Sequence, residues 1–61
     1  MLVNYITVIF KDKDRKPVMG FYKDFDFREG FLRIDALNEK QVIYINLEEV
    51  LTFILTYKEK Q

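Results

Sequence analysis

Apolar residues fall along this chain in five blocks, and within most of them the period is two. The first block is Leu2–Phe10. Leu2, Ile6, Val8 and Phe10 share one parity; Val3, Tyr5, Thr7 and Ile9 share the other, so both faces are apolar or amphipathic. The second, "VMGFYKDFDF", puts Met19, Phe21, Phe25 and Phe27 on one face. Tyr22, Asp24, Asp26 and Arg28 fall on the other, as in a half-buried strand with a polar outer side. Gly20 inside this block predicts a bend or a close backbone approach. In the third block, "FLRIDAL", Leu32, Ile34 and Ala36 oppose Arg33 and Asp35, and the preceding Gly30 can take a left-handed conformation and close a hairpin. The fourth, "QVIYINL", is rich in β-branched and aromatic residues. Breaks at "KDKDRKP" (11–17), "REG" (28–30), "NEK" (38–40) and "NLEE" (46–49) have roughly the 8–12-residue spacing of a small all-β domain.

The last block, "NLEEVLTFILTYKEKQ" (46–61), carries two signals. Asn46 and Glu49 resemble a helix cap with its capping-box partner. An Asn cap contributes about 1 kcal/mol over Ala. Against it, Val50, Thr52, Phe53, Ile54, Thr56 and Tyr57 each give up as much as roughly 0.7 kcal/mol in a helix, so their sum outweighs the cap. Leu51, Phe53, Leu55 and Tyr57 also alternate with Thr52, Ile54 and Thr56. The expectation is a short 3₁₀ turn at 46–49 followed by a strand. The fold class is then all-β: a five-stranded antiparallel small barrel or strongly bent sheet, one domain over 1–61. The competing reading is a four-stranded sheet with a C-terminal helix.

Length makes these choices matter. A 61-residue chain buries only about 60% of the surface its unfolded form exposes. With no Cys and no His, it has neither disulfides nor a Cys/His zinc site to reinforce it. Dense packing and self-association remain, and a composition 49% hydrophobic and 16% aromatic suits both. Ten basic and ten acidic residues balance, whereas a nucleic-acid binder of this size tends to be clearly basic. There is no apolar run of 18 residues to span a membrane. "MLVNYITVIF" lacks a basic leading region and a small-residue cleavage site, so it reads as a first strand, and a cytoplasmic location is expected.

The stretch "ITVIF…GFYKDFD" (Ile6–Phe10, Gly20–Asp26) is similar to the first Sm motif, a hydrophobic strand followed by Gly, a hydrophobic pair and Asp. "VIYINLEEVLTFI" (Val42–Ile54) is similar in layout to the second motif: strand, tight turn, strand. The pattern resembles the Sm-like and SH3-like small barrels over residues 6–55. It implies their fold and, for the Sm-like group, single-stranded nucleic-acid binding. The family's Asn after the motif Asp is absent, "KDKDRK" stands in place of the first-turn Gly, and "YINL" stands in place of the basic RNA-contact segment.

Chemistry is constrained by what is missing. Without Ser, Cys or His, the common nucleophilic triads and histidine acid–base catalysis are closed to this chain. Asp24 and Asp26 share a strand face close enough to shift each other's pKa, but a solvated outer face is the better reading. Asp12 and Asp14 lack the Gly and distal Glu of a calcium loop. No metal and no cofactor are expected, and no enzyme activity. A nucleic-acid surface would use Lys11, Lys13, Arg15, Lys16, Tyr22, Lys23 and Arg28, with Tyr22 or Phe27 as the stacking ring. Interleaved Asp residues dilute that field.

The more informative feature is surplus apolar area. Blocks one, four and five are apolar on both parities, and a single small sheet has one interior. Another chain covering the second face is the economical answer. The sequence therefore predicts a non-enzymatic protein-interaction module, a homo-oligomer and most simply a dimer, with Tyr5, Val42, Tyr44, Ile54 and Tyr57 at the interface. By analogy, such small chains serve phages and mobile elements as regulators or inhibitors of host proteins. The alternative is an Sm-like single-strand nucleic-acid-binding barrel.

Overall fold

A computed structural model describes residues 1–38 and 40–60. Five strands form one antiparallel sheet: β1 (Leu2–Phe10), β2 (Val18–Arg28), β3 (Phe31–Ala36), β4 (Val42–Asn46) and β5 (Val50–Glu59). A 3₁₀ turn, Leu47–Glu49, separates β4 from β5. The fifth block is thus turn plus strand, and the C-terminal helix is not formed. Asn46 does cap, accepting the Glu48 N–H on Oδ1 at 3.0 Å, but one turn later Val50 is already extended. The turn read at 38–40 includes Glu39, which lies outside the described residues, as does Gln61 at the end of the fifth block.

The strand order is β4-β3-β2-β1-β5, so the sheet is open, with β4 and β5 at its edges. It is nevertheless bent onto itself. The first part of β2 pairs with β1 as far as Tyr5↔Phe21, and the rest pairs with β3 from Tyr22↔Ala36 onward. The handover follows directly after Gly20. Phe27 of β2 then packs against Phe53 of β5, with centroids 5.8 Å apart, although these strands are not neighbours in the sheet. The concave side holds the core: Ile6, Val8 and Phe10 of β1, Tyr22, Leu32, Ile34 and Ile45. Val18, Phe25, Ile43, Leu47, Val50 and Phe53 pack around it.

One feature of β2 differs from its alternation pattern. The ladder steps from Tyr22↔Ala36 to Asp24↔Asp35, leaving Lys23 as an extra residue. A bulge of this kind inverts which parity faces inward. Before it, Val18 and Tyr22 face the core; after it, Phe25 and Phe27 do. Met19 and Phe21 therefore lie on the convex side, and Tyr22, assigned to the polar face by strict alternation, is a core residue only 7% exposed. A second irregularity sits between Ile9 and Phe10, where Leu51 is the extra residue of β5.

The β2–β3 hairpin closes through Glu29 and Gly30, both at positive φ (47° and 82°), flanked by the pair Arg28↔Phe31. Positive φ at both central positions is the type I′ arrangement, whose twist matches that of the strands. Gly accepts this backbone freely; Glu does not. The turn also anchors the other end of the sheet, since the Gly30 carbonyl accepts the Leu47 N–H at 2.9 Å. Glu29→Asn is expected to stabilise the fold by about 0.5–1 kcal/mol, and Gly30→Ala to cost about 1 kcal/mol or more. Thermal melts check both: the first substitution raises the midpoint and the second lowers it.

Candidate interaction surface

The residues expected to carry function divide between the two edges and the two faces of the sheet. On the convex side, the registers Tyr5↔Phe21, Thr7↔Met19 and Thr7↔Ile54 bring Tyr5, Phe21, Met19 and Ile54 together across β2, β1 and β5. Val42 and Tyr44 lie on the same side of the sheet but on β4, opposite Asp35 and Arg33. Tyr57 pairs with Asn4 and belongs to the concave side. The five expected interface residues therefore form no single patch: Tyr5 and Ile54 share one, Val42 and Tyr44 another, and Tyr57 stands on the reverse of β5.

The second apolar face is partly covered from within the chain, which alternation alone does not reveal. Tyr5 and Phe21 meet edge to face, 5.0 Å between centroids. The Lys58 ammonium sits 4.0 Å above the Tyr5 ring, and the Lys60 ammonium 4.9 Å above Phe21. A lysine in this position lays its alkyl stem over apolar surface while its charge meets the ring quadrupole. Tyr5 is consequently half-buried. Of the strands, β5 leaves the most large apolar side chains uncovered: Leu51, Ile54, Leu55 and Tyr57 are 66%, 47%, 45% and 72% exposed, while Met19 on β2 and Val42 and Tyr44 on β4 are exposed as well.

Of the residues expected to contact nucleic acid, Tyr22, Arg15 and Arg28 are engaged within the chain, while Lys11, Lys13, Lys16 and Lys23 are exposed. Tyr22 presents no ring face to a ligand, and burial, followed by the neighbouring Tyr57, pushes its hydroxyl pKa up. Arg15 covers the Phe10 ring at 3.8 Å and pairs with Glu49. The Arg28 Nε donates to Asp26 at 2.9 Å. Lys11, Lys13 and Lys16 are exposed in the loop between β1 and β2, where Asp12 accepts the Asp14 N–H at 3.0 Å and the Arg15 N–H at 3.2 Å. Lys23 is the bulge residue of β2. Phe27 is half-exposed but engaged with Phe25 and Phe53.

Asp24 and Asp26 do share a face, but Arg33 lies between them. Its Nε donates to Asp26 at 2.7 Å, and its terminal nitrogens reach Asp35 at 3.2 Å and Asp24 at 3.5 Å. Hydrogen bonds from Arg28 and then Arg33 hold the Asp26 carboxyl below the usual carboxylate range. Both partners face the Asp26 side chain with protons to donate, so the pair of carboxylates is organised as an ion network rather than as an acid and a base. Sequence reading had the correct face for these groups and missed the arginine, which arrives from β3 through the register Asp26↔Arg33.

Away from the charges, a groove of about 340 Å³ opens beside Gly20, lined by Ile6, Val18, Ile34, Ile43 and Lys60 among others. A methyl group on Gly20 would meet nothing within 4 Å. This is interior that the open sheet leaves unfilled. Among the described residues, no helix is long and apolar enough to cross a membrane. Comparison with protein-family models, curated proteins and solved structures finds no match for this chain.

The Asp26 network gives a pH dependence with a definite sign. A carboxyl whose pKa is depressed on folding stabilises the folded state above its unfolded value of about 3.9 and loses that contribution as pH falls through the lower folded value. Asp26→Asn is therefore expected to be less stable than the parent at neutral pH and to lose less stability on acidification below about pH 4. Urea midpoints measured across that range check the convergence of the two curves.

Proposed function

We propose that this chain is a non-enzymatic protein-interaction module that works by self-association, with a two-fold dimer as its simplest form. The observation that carries the reading is the exposure of β5. This strand occupies a sheet edge, runs for ten residues, and leaves apolar side chains uncovered on both sides.

Edge strands of soluble proteins are ordinarily blunted by charge, proline, bulges or short length. On β5 the one irregularity is at its start, at Leu51; the charges come only at the end, at Lys58 and Glu59, and the stretch from Leu51 to Tyr57 contains none. A segment of this kind, high in β-propensity and free of Pro and Gly, must be occupied or it becomes an aggregation site. Occupation by a protein partner also explains why a small chain of zero net charge has so much apolar surface. Within this reading, the charge networks around Arg33 and Arg15 set structure and solubility.

Light scattering on the eluting peak of a size-exclusion column tests the reading. A mass of two chains, falling toward one on dilution, is the expected result. A single-chain mass at the highest soluble concentration would end it.

A further inference from the structure

We infer that the partner copy binds through its own β5, pairing antiparallel with this one about a two-fold axis that passes beside Ile54, so that two five-stranded sheets join into one of ten strands. This inference rests on the proposed self-association and specifies its surface and register.

Three observations lead to it. The first is the direction of the free backbone groups. The Lys60 N–H donates to the Met1 carbonyl at 3.1 Å, and the Lys11 N–H donates to the Glu49 carbonyl at 2.9 Å. Antiparallel ladders alternate between hydrogen-bonded and non-hydrogen-bonded pairs. In the register Val3↔Lys58, Tyr5↔Thr56, Thr7↔Ile54, the even residues of β5 therefore turn their N–H and C=O groups toward β1. The odd residues Phe53, Leu55 and Tyr57 turn theirs toward the open edge. That edge offers an unbroken row of donors and acceptors at alternate residues, which is what a further strand requires.

The second observation is sequence symmetry. Two copies of one strand related by a two-fold axis must pair each residue with its mirror position about the centre. Leu51-Thr52-Phe53-Ile54-Leu55-Thr56-Tyr57 is a palindrome in chemical class about Ile54. Centred there, Thr52 faces the partner's Thr56, Phe53 faces the partner's Leu55, and Ile54 faces the partner's Ile54. Leu51 and Tyr57 flank the pairing at each end. Symmetry permits neighbouring registers only with residue 53 or 55 at the axis. Centring on Phe53 sets Thr52 against Ile54; centring on Leu55 sets Ile54 against Thr56, Thr52 against Lys58 and Leu51 against Glu59. Only the Ile54 centre matches Thr with Thr and apolar with apolar on both sides of the sheet.

The third is exposure. The side chains that this pairing brings together, Ile54 and Leu55 with Tyr57 beyond them, are exposed apolar groups on both sides of β5. In the Ile54-centred register, Glu49 would meet the partner's Glu59, but Glu49 already pairs with Arg15, and Glu59 lies against the Met1 amino nitrogen. The other edge, β4, is five residues long, and its Tyr44 and Val42 stand beside the Arg33 network.

The chain contains no cysteine, so single-cysteine variants report the register directly. Ile54→Cys places a thiol opposite its own copy in a non-hydrogen-bonded pair, with Cα atoms roughly 4.5 Å apart, inside the range of a disulfide. Thr52→Cys puts the two thiols four residues apart along the strands, roughly 13 Å, beyond that range. Tyr44→Cys tests the β4 edge in the same way. Under mild oxidation, Ile54→Cys is expected to convert to a covalent dimer, while Thr52→Cys and Tyr44→Cys remain unlinked. Linkage at Tyr44, at Phe53→Cys or at Leu55→Cys in preference to Ile54 would overturn the assignment. So would a parent that is dimeric by light scattering while Ile54→Cys stays unlinked, and in that case self-association itself would stand. A monomeric parent would remove both.

Discussion

Everything in this fold depends on β1 being paired on both edges. It is the inner strand of its half of the sheet, with β2 on one side and β5 on the other, and its Ile6, Val8 and Phe10 form the base of the core. Because β1 is apolar on both parities, burying one set leaves the other outside. A chain of 61 residues with no α-helix among the described residues to lay over that outer side covers it only in part. It uses lysine stems over Tyr5 and Phe21 near the end of β5, and it leaves the rest of β5 exposed. The constraint is geometric: one bent sheet encloses one interior, and the apolar side chains of opposite parity on β1 and β5 point away from it.

The bend makes the interior possible. β2 serves both halves, and the change of partner at Phe21–Tyr22 comes with an extra residue at Lys23. That residue lets Val18 and Tyr22 face inward on one half while Phe25 and Phe27 face inward on the other. The aromatic run from Tyr22 through Phe25 and Phe27 to Phe53, each ring set at a steep or tilted angle to the next, then spans the fold from one half to the other. A regular strand without the bulge would present Asp24 and Asp26 to the core. With it, they meet Arg33 on the outside.

The elements themselves were legible because each is a short apolar block bounded by residues with a local reason to turn. Gly30 sits at positive φ in the hairpin, and Asn46 caps a single turn. The competition between cap and strand in the last block was resolved by the β-branched and aromatic residues, as their propensities imply. The face of Tyr22 was not legible from strict alternation. A bulge adds one residue without changing composition, and its one trace was the three-residue step from Tyr22 to Phe25 across Lys23. Long-range pairing was less legible still. Nothing local to Lys58, Lys60 or Arg33 says which ring or carboxylate each will meet, since those partners are fixed by the β1–β5 and β2–β3 registers. The expected interface residues were drawn from apolar excess alone, so Tyr5, already covered by its own chain, was grouped with Ile54, which is not.

The central claim is that the open edge of β5 is occupied by a second β5, and amide hydrogen exchange on this strand tests it most directly. The Ile54 and Thr56 amides face β1 and are expected to be protected at every protein concentration. The Leu55 and Phe53 amides face the open edge and are expected to become protected only as concentration rises, in step with the dimer mass. Fast exchange at Leu55 under conditions where the protein is dimeric would contradict the account.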